Sequence, residues 1–237
     1  MLRRFLLQVV FFACCSKAVV ADEPKPVDLP DGFKLIYKQA FDDESSMRDF
    51  EFSDNAAWRW TQDGKKGGGI ELFQQSKYKT EHRSPFNLAM LSSKKVGDFV
   101  LELDMRQTGK EYGHRDMCLY FGFQNAMQFY YTHLATSPDP NAHNIFIVNN
   151  SPRKSFLDVP KKGVDWSEDW KHVRLQKIGP DIKVFFEDMK TPVLQGKHEG
   201  LGPGYVGFGS FDDTGKIDNV QLWSNSVQEQ PTVLFPM

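Results

Sequence analysis

Residues 99–123, FVLELDMRQTGKEYGHRDMCLYFGF, decide the fold. In the first part Phe99, Leu101, Leu103 and Met105 alternate with Val100, Glu102, Asp104 and Arg106. Successive side chains leave opposite faces of a pleated backbone, so a period of two is the pattern of a half-buried strand. A loop carrying Gly109, Tyr112, Gly113, His114 and Arg115 follows. Alternation then resumes, with Met117, Leu119, Phe121 and Phe123 expected on one face and Asp116, Cys118, Tyr120 and Gly122 on the other.

The same signal spreads outward from this stretch. Strands are expected at 126–134, which holds Gln128, Tyr130, Tyr131 and His133, and at 144–149. Towards the C-terminus, 170–186 reads as a hairpin turning at Gly179, Pro180 and Asp181, and 205–210 and 216–223 close the pattern. Towards the N-terminus, 33–41, 54–61, 70–74 and 88–92 look extended, and 42–52 is the one helix candidate. Many short strands separated by turns, with 20 phenylalanines to fill a core, predict an all-β, two-sheet antiparallel jelly-roll sandwich. Leu101, Leu103, Leu119, Phe121, Val173, Leu175, Val184 and Val220 are its expected core.

Residues 1–21 have the form of an export signal: Arg3 and Arg4, an apolar run from Phe5 to Cys15, then Val19, Val20 and Ala21 before Asp22. Residues 22–32, with Pro24, Pro26 and Pro30, read as a tether; 33–224 as the domain; 225–237 as a polar tail. The mature chain would be periplasmic or secreted, with no transmembrane segment. Losing Arg3, Arg4 and Lys17 removes three of 29 basic residues against 31 acidic ones, a net charge of about −5, so no nucleic-acid surface is implied. Cys118 would be the last cysteine, so the core must hold by packing without an internal disulfide. Gly67, Gly68 and Gly69 lack the Lys-Ser/Thr pair and helix of a phosphate loop.

Trp170-Lys171-His172-Val173-Arg174-Leu175, Gly179, Ile182 to Asp188, Gly204 to Phe208 and Ile217 to Trp223 together resemble the closing half of the concanavalin A-like lectin and glucanase sandwiches. Within that superfamily the chain is most similar to the secreted bacterial domains named for 3-keto-disaccharide hydrolases. The likeness extends back through 97–120 and covers most of 33–223. It implies a sugar or polysaccharide lying across the concave sheet. Such sandwiches also serve as lectins, lyases and plain interaction modules, so fold alone leaves the activity open.

The candidate site residues follow from chemistry. Family 16 glycoside hydrolases carry Glu-x-Asp-x-x-Glu on one strand face; here Glu102 and Asp104 are followed by Gln107, so the second glutamate is missing. A solvated strand face in which Asp104 and Arg106 partly neutralise each other is the alternative. His114, Arg115 and Asp116 supply an imidazole for proton transfer, a guanidinium for anion or hydroxyl contacts, and a carboxylate to orient the ring; they are the candidate catalytic set. Arg115 paired structurally with a nearby acid is the competing reading. Arg106, Tyr120, Tyr130 and His133 are the candidate sugar-binding set, because sugar faces stack on aromatic rings. His133 and His143 show no zinc-motif spacing. Asp42 or Asp43 with Asp218, brought together on the convex side in such sandwiches, would supply oxygen ligands for a structural calcium. The expected function is a carbohydrate-active domain that cleaves a glycosidic bond, with a noncatalytic glycan-binding module as the alternative.

Overall fold

The alternation in 99–106 is the register of a strand at the centre of one sheet, and that in 116–121 belongs to the centre of a second sheet packed against it. A computed structural model describes residues 29–158, 160 and 162–235; the stretches expected to be an export signal (1–21) and most of a tether (22–32) lie outside these. In chain order the first eight strands are β1 (Lys34–Gln39), β2 (Phe50–Phe52), β3 (Trp58–Thr61), β4 (Gly69–Leu72), β5 (Asn87–Val96), β6 (Phe99–Gln107), β7 (Asp116–Asn125) and β8 (Gln128–Ala135). The rest are β9 (Asn144–Asn149), β10 (Lys154–Ser155), β11 (Lys171–Ile178), β12 (Asp181–Phe186), β13 (Leu194–Lys197), β14 (Gly204–Ser210), β15 (Gly215–Ser224) and β16 (Val227–Glu229). The helix expected at 42–52 is instead a 3-10 turn, Glu44–Asp49, capped by the Asp43 side chain and followed by β2.

Sheet A runs β13-β12-β11-β6-β15-β4-β3, with β1 also on β15; sheet B runs β10-β9-β8-β7-β14-β5-β16, with β2 also on β5. Every pairing is antiparallel, so the molecule is the jelly-roll sandwich the alternation predicts. All eight expected core residues lie buried between the sheets. The described residues after 224 belong to the sandwich: β16 pairs with β5, and Leu234 is buried on sheet B.

Two breaks in strand parity escape a period-two reading. Gly122 has φ +55° and the β7–β8 register shifts beyond Phe121, so Phe121 faces the core whereas Phe123 faces outward. Glycine lacks the Cβ that penalises a left-handed backbone, and this one residue reverses the faces that follow it. Asn219, φ +51°, does the same in β15, so Ile217 and Val220 both point inward.

The outer faces differ in chemistry. Sheet A carries paired charges: Arg174 bonds Glu102 at 2.5 Å, while Asp104 receives Lys65 at 2.8 Å, Asn219 at 2.7 Å and His172 at 3.0 Å. Asp104 and Arg106 therefore do not neutralise each other; Arg106 pairs with Asp63 at 3.1 Å. Sheet B is apolar outside as well, through Leu88, Met90, Cys118, Tyr120, Phe123, Phe129, Tyr131, Phe146, Val148 and Tyr205. That explains the nearly unbroken hydrophobic runs in β7 and β8: a strand covered on both faces has no solvated side to mark.

Replacing Leu119 by Ala should cost about 2 to 5 kcal/mol in urea denaturation, the usual cost of emptying a buried leucine site. His172, hydrogen bonded to Asp104 and Glu102, has its pKa raised to about 9. A cation favoured by folding stabilises fully below its unfolded pKa, about 6.5, and loses that contribution as pH rises through about 9. His172→Gln should therefore flatten the fall of Tm between those values.

Candidate functional site

One end of the outer face of sheet B is built around Asp116, the first residue of β7, which has no exposed surface. Its Oδ1 accepts from the Ser210 hydroxyl at 3.1 Å and its Oδ2 from the Phe211 N–H at 3.0 Å and the Cys118 thiol at 3.1 Å. Asp213 answers in kind: its Oδ2 accepts from the Asp116 N–H at 2.9 Å and from the Tyr112 hydroxyl at 2.9 Å. Ser210 completes the lock, since its oxygen also accepts from the Asp213 N–H at 2.7 Å. These bonds hold the 211–213 turn, which follows β14, against the start of β7.

Locking that turn places the Phe211 ring flat on His133 of β8, with centroids 5.8 Å apart and planes 6° off parallel. Neither ring nitrogen of His133 has a hydrogen-bond partner, although His133 is buried and its Nε2 lies 3.5 Å from Asp116 Oδ2. Above them, Arg153, immediately before β10, has its guanidinium carbon 4.7 Å from the Phe146 ring centroid and 4.6 Å from that of Phe211. It donates to the Tyr131 hydroxyl at 2.6 Å and to the Asn141 carbonyl at 2.9 Å. Arg83, exposed, lies 6.0 Å from the Phe211 centroid.

Burial sets the electrostatics. It pushes the Asp116 carboxyl up to about 8, with the nearby Asp213 and Asp212 charges acting in the same direction against the Phe211 N–H bond. Burial first and the Arg153 charge second push the His133 imidazole down to about 3. Near neutral pH the pair is thus a protonated carboxyl beside a neutral ring. His143, also buried with both ring nitrogens unpartnered, is lowered to about 4.

Asp116, Tyr120 and His133 share this outer face, and His114 stands at its rim, half exposed and 2.6 Å from Asp139. Tyr120 is no open stacking platform: it is fully buried and donates to the carbonyls of Asn87 and Ser210. The other expected members lie elsewhere. Arg115, in the loop just before β7, is buried, and its guanidinium is spent on the Gln107 side chain and the carbonyls of Gln107 and Trp166. Arg106 lies on the outside of sheet A, and Tyr130 faces the core, stacked on Phe121 with centroids 5.0 Å apart. The Tyr130 hydroxyl reaches only the sheet edge, at His198 and the Leu201 N–H.

Among the described residues, no group of three or more potential ligand side chains includes Asp42, Asp43 or Asp218. The Asp218 carboxylate accepts the main-chain N–H groups of Lys65, Lys66 and Asn219, which tie down the 65–66 turn, and Asp42 is exposed. Sequence reasoning passed over Arg153, Phe211, Asp212 and Asp213. The Phe-Asp-Asp run between two strands was the available signal, and it reads there as an ordinary turn.

No protein-family model matches the chain, and no curated protein sequence matches it. Among solved structures, a carbohydrate-binding module, CBM66, from Bacillus subtilis superposes with a TM-score of 0.52 at 18% identity, covering 74% of this chain and 96% of its own. A Bacillus subtilis protein of unknown function with a galectin-like fold gives 0.51 at 9% identity, covering 80% and 97%. At these identities the likeness establishes the fold alone, a two-sheet jelly-roll sandwich. The finer resemblance to 3-keto-disaccharide hydrolase domains rests on the residues quoted for it.

The raised Asp116 pKa has a sign that stability reports. The unfolded carboxyl ionises near 4 whereas the folded one holds its proton to about 8, so stability falls as pH rises across that interval. Below about 6.5 the depressed His133 opposes this trend, because the unfolded ring takes up a proton that the folded one refuses. Between pH 6.5 and 8 the Asp116 and His172 contributions fall together, so Asp116→Asn should make the loss of Tm across that window shallower than in the unsubstituted protein, and Asp116→Asn combined with His172→Gln shallower still.

Proposed function

We propose that the protein binds a carbohydrate at the Arg153–Phe211 end of sheet B, outside the cytoplasm as residues 1–21 suggest. The observation that carries this reading is the Arg153 clamp. Its guanidinium is fixed between two aromatic rings, and two hydrogen bonds to Tyr131 and Asn141 leave part of its five-donor fork for other acceptors. A preorganised fork beside a ring edge suits sugar hydroxyls, which ask for directional donors next to an apolar face. The superposition on a carbohydrate-binding module supports the same class of ligand.

Cleavage of the bound sugar, of the 3-keto-disaccharide hydrolase type, is the second reading, and Asp116 favours it. A carboxyl that keeps its proton to about 8 is a proton source at neutral pH, as a glycosidic leaving group requires. Asp116 has no exposed surface of its own, and His133, 3.5 Å away, is the side chain that separates it from the Arg153–Phe211 end.

A glycan array of the purified protein, run beside a hydrolysis screen that includes oxidised 3-keto sugars, tests both readings. Arg153→Ala and Phe211→Ala should each weaken glycan binding about tenfold or more, and His172→Gln on the opposite sheet should leave it unchanged. Binding without released product selects the module; loss of product in His133→Gln with binding retained selects the hydrolase. Full affinity in both Arg153→Ala and Phe211→Ala would place the ligand elsewhere.

A further inference from the structure

We infer that the glycan taken at the Arg153–Phe211 end is an acidic one, carrying uronate carboxylates or sulfate esters on its sugar rings, and that Arg83 and Arg153 together bind one such anionic group. The inference rests on the carbohydrate reading above and narrows its ligand to a charged class.

Two guanidinium groups flank one ring. Arg153 has its guanidinium carbon 4.6 Å and Arg83 6.0 Å from the Phe211 centroid, and the Arg153 main-chain N–H donates to the Arg83 carbonyl at 3.4 Å, which ties the two segments together. Among the described residues neither arginine forms an ion pair. The Arg153 side chain donates only to neutral acceptors, the Tyr131 hydroxyl and the Asn141 carbonyl, so its charge is held in place without being cancelled. The arginines of sheet A are treated differently: Arg59, Arg106 and Arg174 each have a carboxylate partner, at 2.7, 3.1 and 2.5 Å. In a chain whose acidic residues outnumber its basic ones, 31 to 29, two uncancelled arginines on one ring are a local reversal of charge.

The carboxylates of this end do not supply the missing charge. Asp139 pairs with His114 at 2.6 Å, and Asp213 is engaged by the Tyr112 hydroxyl and the Asp116 N–H. Asp116 is fully buried, and burial keeps its proton in place to about 8. Asp212 follows Phe211 in the chain, yet it is exposed and pairs with neither arginine. That leaves the role to an anion from outside. Two of the five N–H donors of Arg153 are used within the protein, and the rest of the fork matches the oxygens of a carboxylate or a sulfate, with charge-assisted bonds roughly twice as strong as neutral ones.

The test is a glycan array of the full chain that includes uronate polymers, sulfated polymers and neutral polymers, followed by calorimetric titration of each acidic hit and of the same glycan with its charge masked, as the methyl ester of a uronate or the desulfated form of a sulfate. Hits should be acidic, masking should weaken them about tenfold or more, and affinity should fall as NaCl is raised from about 0.01 to 0.15 M. Which masking reaction abolishes binding tells carboxylate from sulfate. Arg83→Gln, at an exposed position, should weaken acidic hits about tenfold and reduce the salt dependence with Tm unchanged, whereas Arg106→Gln, which removes the same charge from sheet A, should leave affinity as it was. Asp212→Asn should tighten binding by removing a competing negative charge. Neutral hits lost in Arg153→Ala would keep the carbohydrate reading and overturn this inference, as would acidic hits indifferent to masking or to both arginine substitutions. An array with no hit would overturn the carbohydrate reading and this inference with it.

Discussion

The reciprocal lock between Asp116 and Asp213 is the constraint on which the proposed binding end of the molecule depends. Asp213 accepts the Asp116 N–H, Asp116 accepts the N–H of Phe211 two residues before Asp213, and Ser210 bridges the two aspartates. Because these groups are buried, each hydrogen bond lost would leave a polar atom unpaired, a penalty of about 1 to 3 kcal/mol. The lock therefore fixes the turn that carries Phe211, and Phe211 in turn positions His133 beneath it and Arg153 beside it.

Around this lock the two sheets divide the work. Sheet A buries one face and turns outward a lattice of charges that satisfy one another, with His172 held between Glu102 and Asp104. Sheet B buries both faces, and its outer face ends in groups that the protein itself does not satisfy: two imidazole nitrogens of His133 and an arginine fork with donors to spare. A surface whose interactions are internally complete has little to offer a ligand; one left incomplete on a rigid frame is where binding concentrates.

The fold was legible because alternation is a direct consequence of the pleat. Leu101 and Leu103, and Leu119 and Phe121, could be placed on the core side from spacing alone, and they lie there. Phe123 could not, because the reversal depends on the backbone of Gly122, which spacing does not reveal. The site was only partly legible for a related reason. Asp116 and His133 stand opposite one another's neighbourhood through pairing of adjacent strands, with His133 directly across from Cys118, which the central stretch suggests. Arg153 and Phe211 come from segments 58 residues apart and meet only through the long-range packing of β10 and β14 on the same sheet. Arg106 and Tyr130 show the converse: nearness in sequence to the right residues, but the wrong sheet or the wrong face.

The central claim is that ligands meet this protein at the Asp116–His133–Arg153 end of sheet B and not on the charged face of sheet A. The most direct measurement is a ¹H–¹⁵N correlation spectrum of the histidine side chains, with ring signals assigned by single substitutions, recorded while a glycan hit from the array is added. The account predicts that the His133 ring signals shift in proportion to occupancy while those of His172 stay in place. Movement of His172 with His133 unchanged would contradict it.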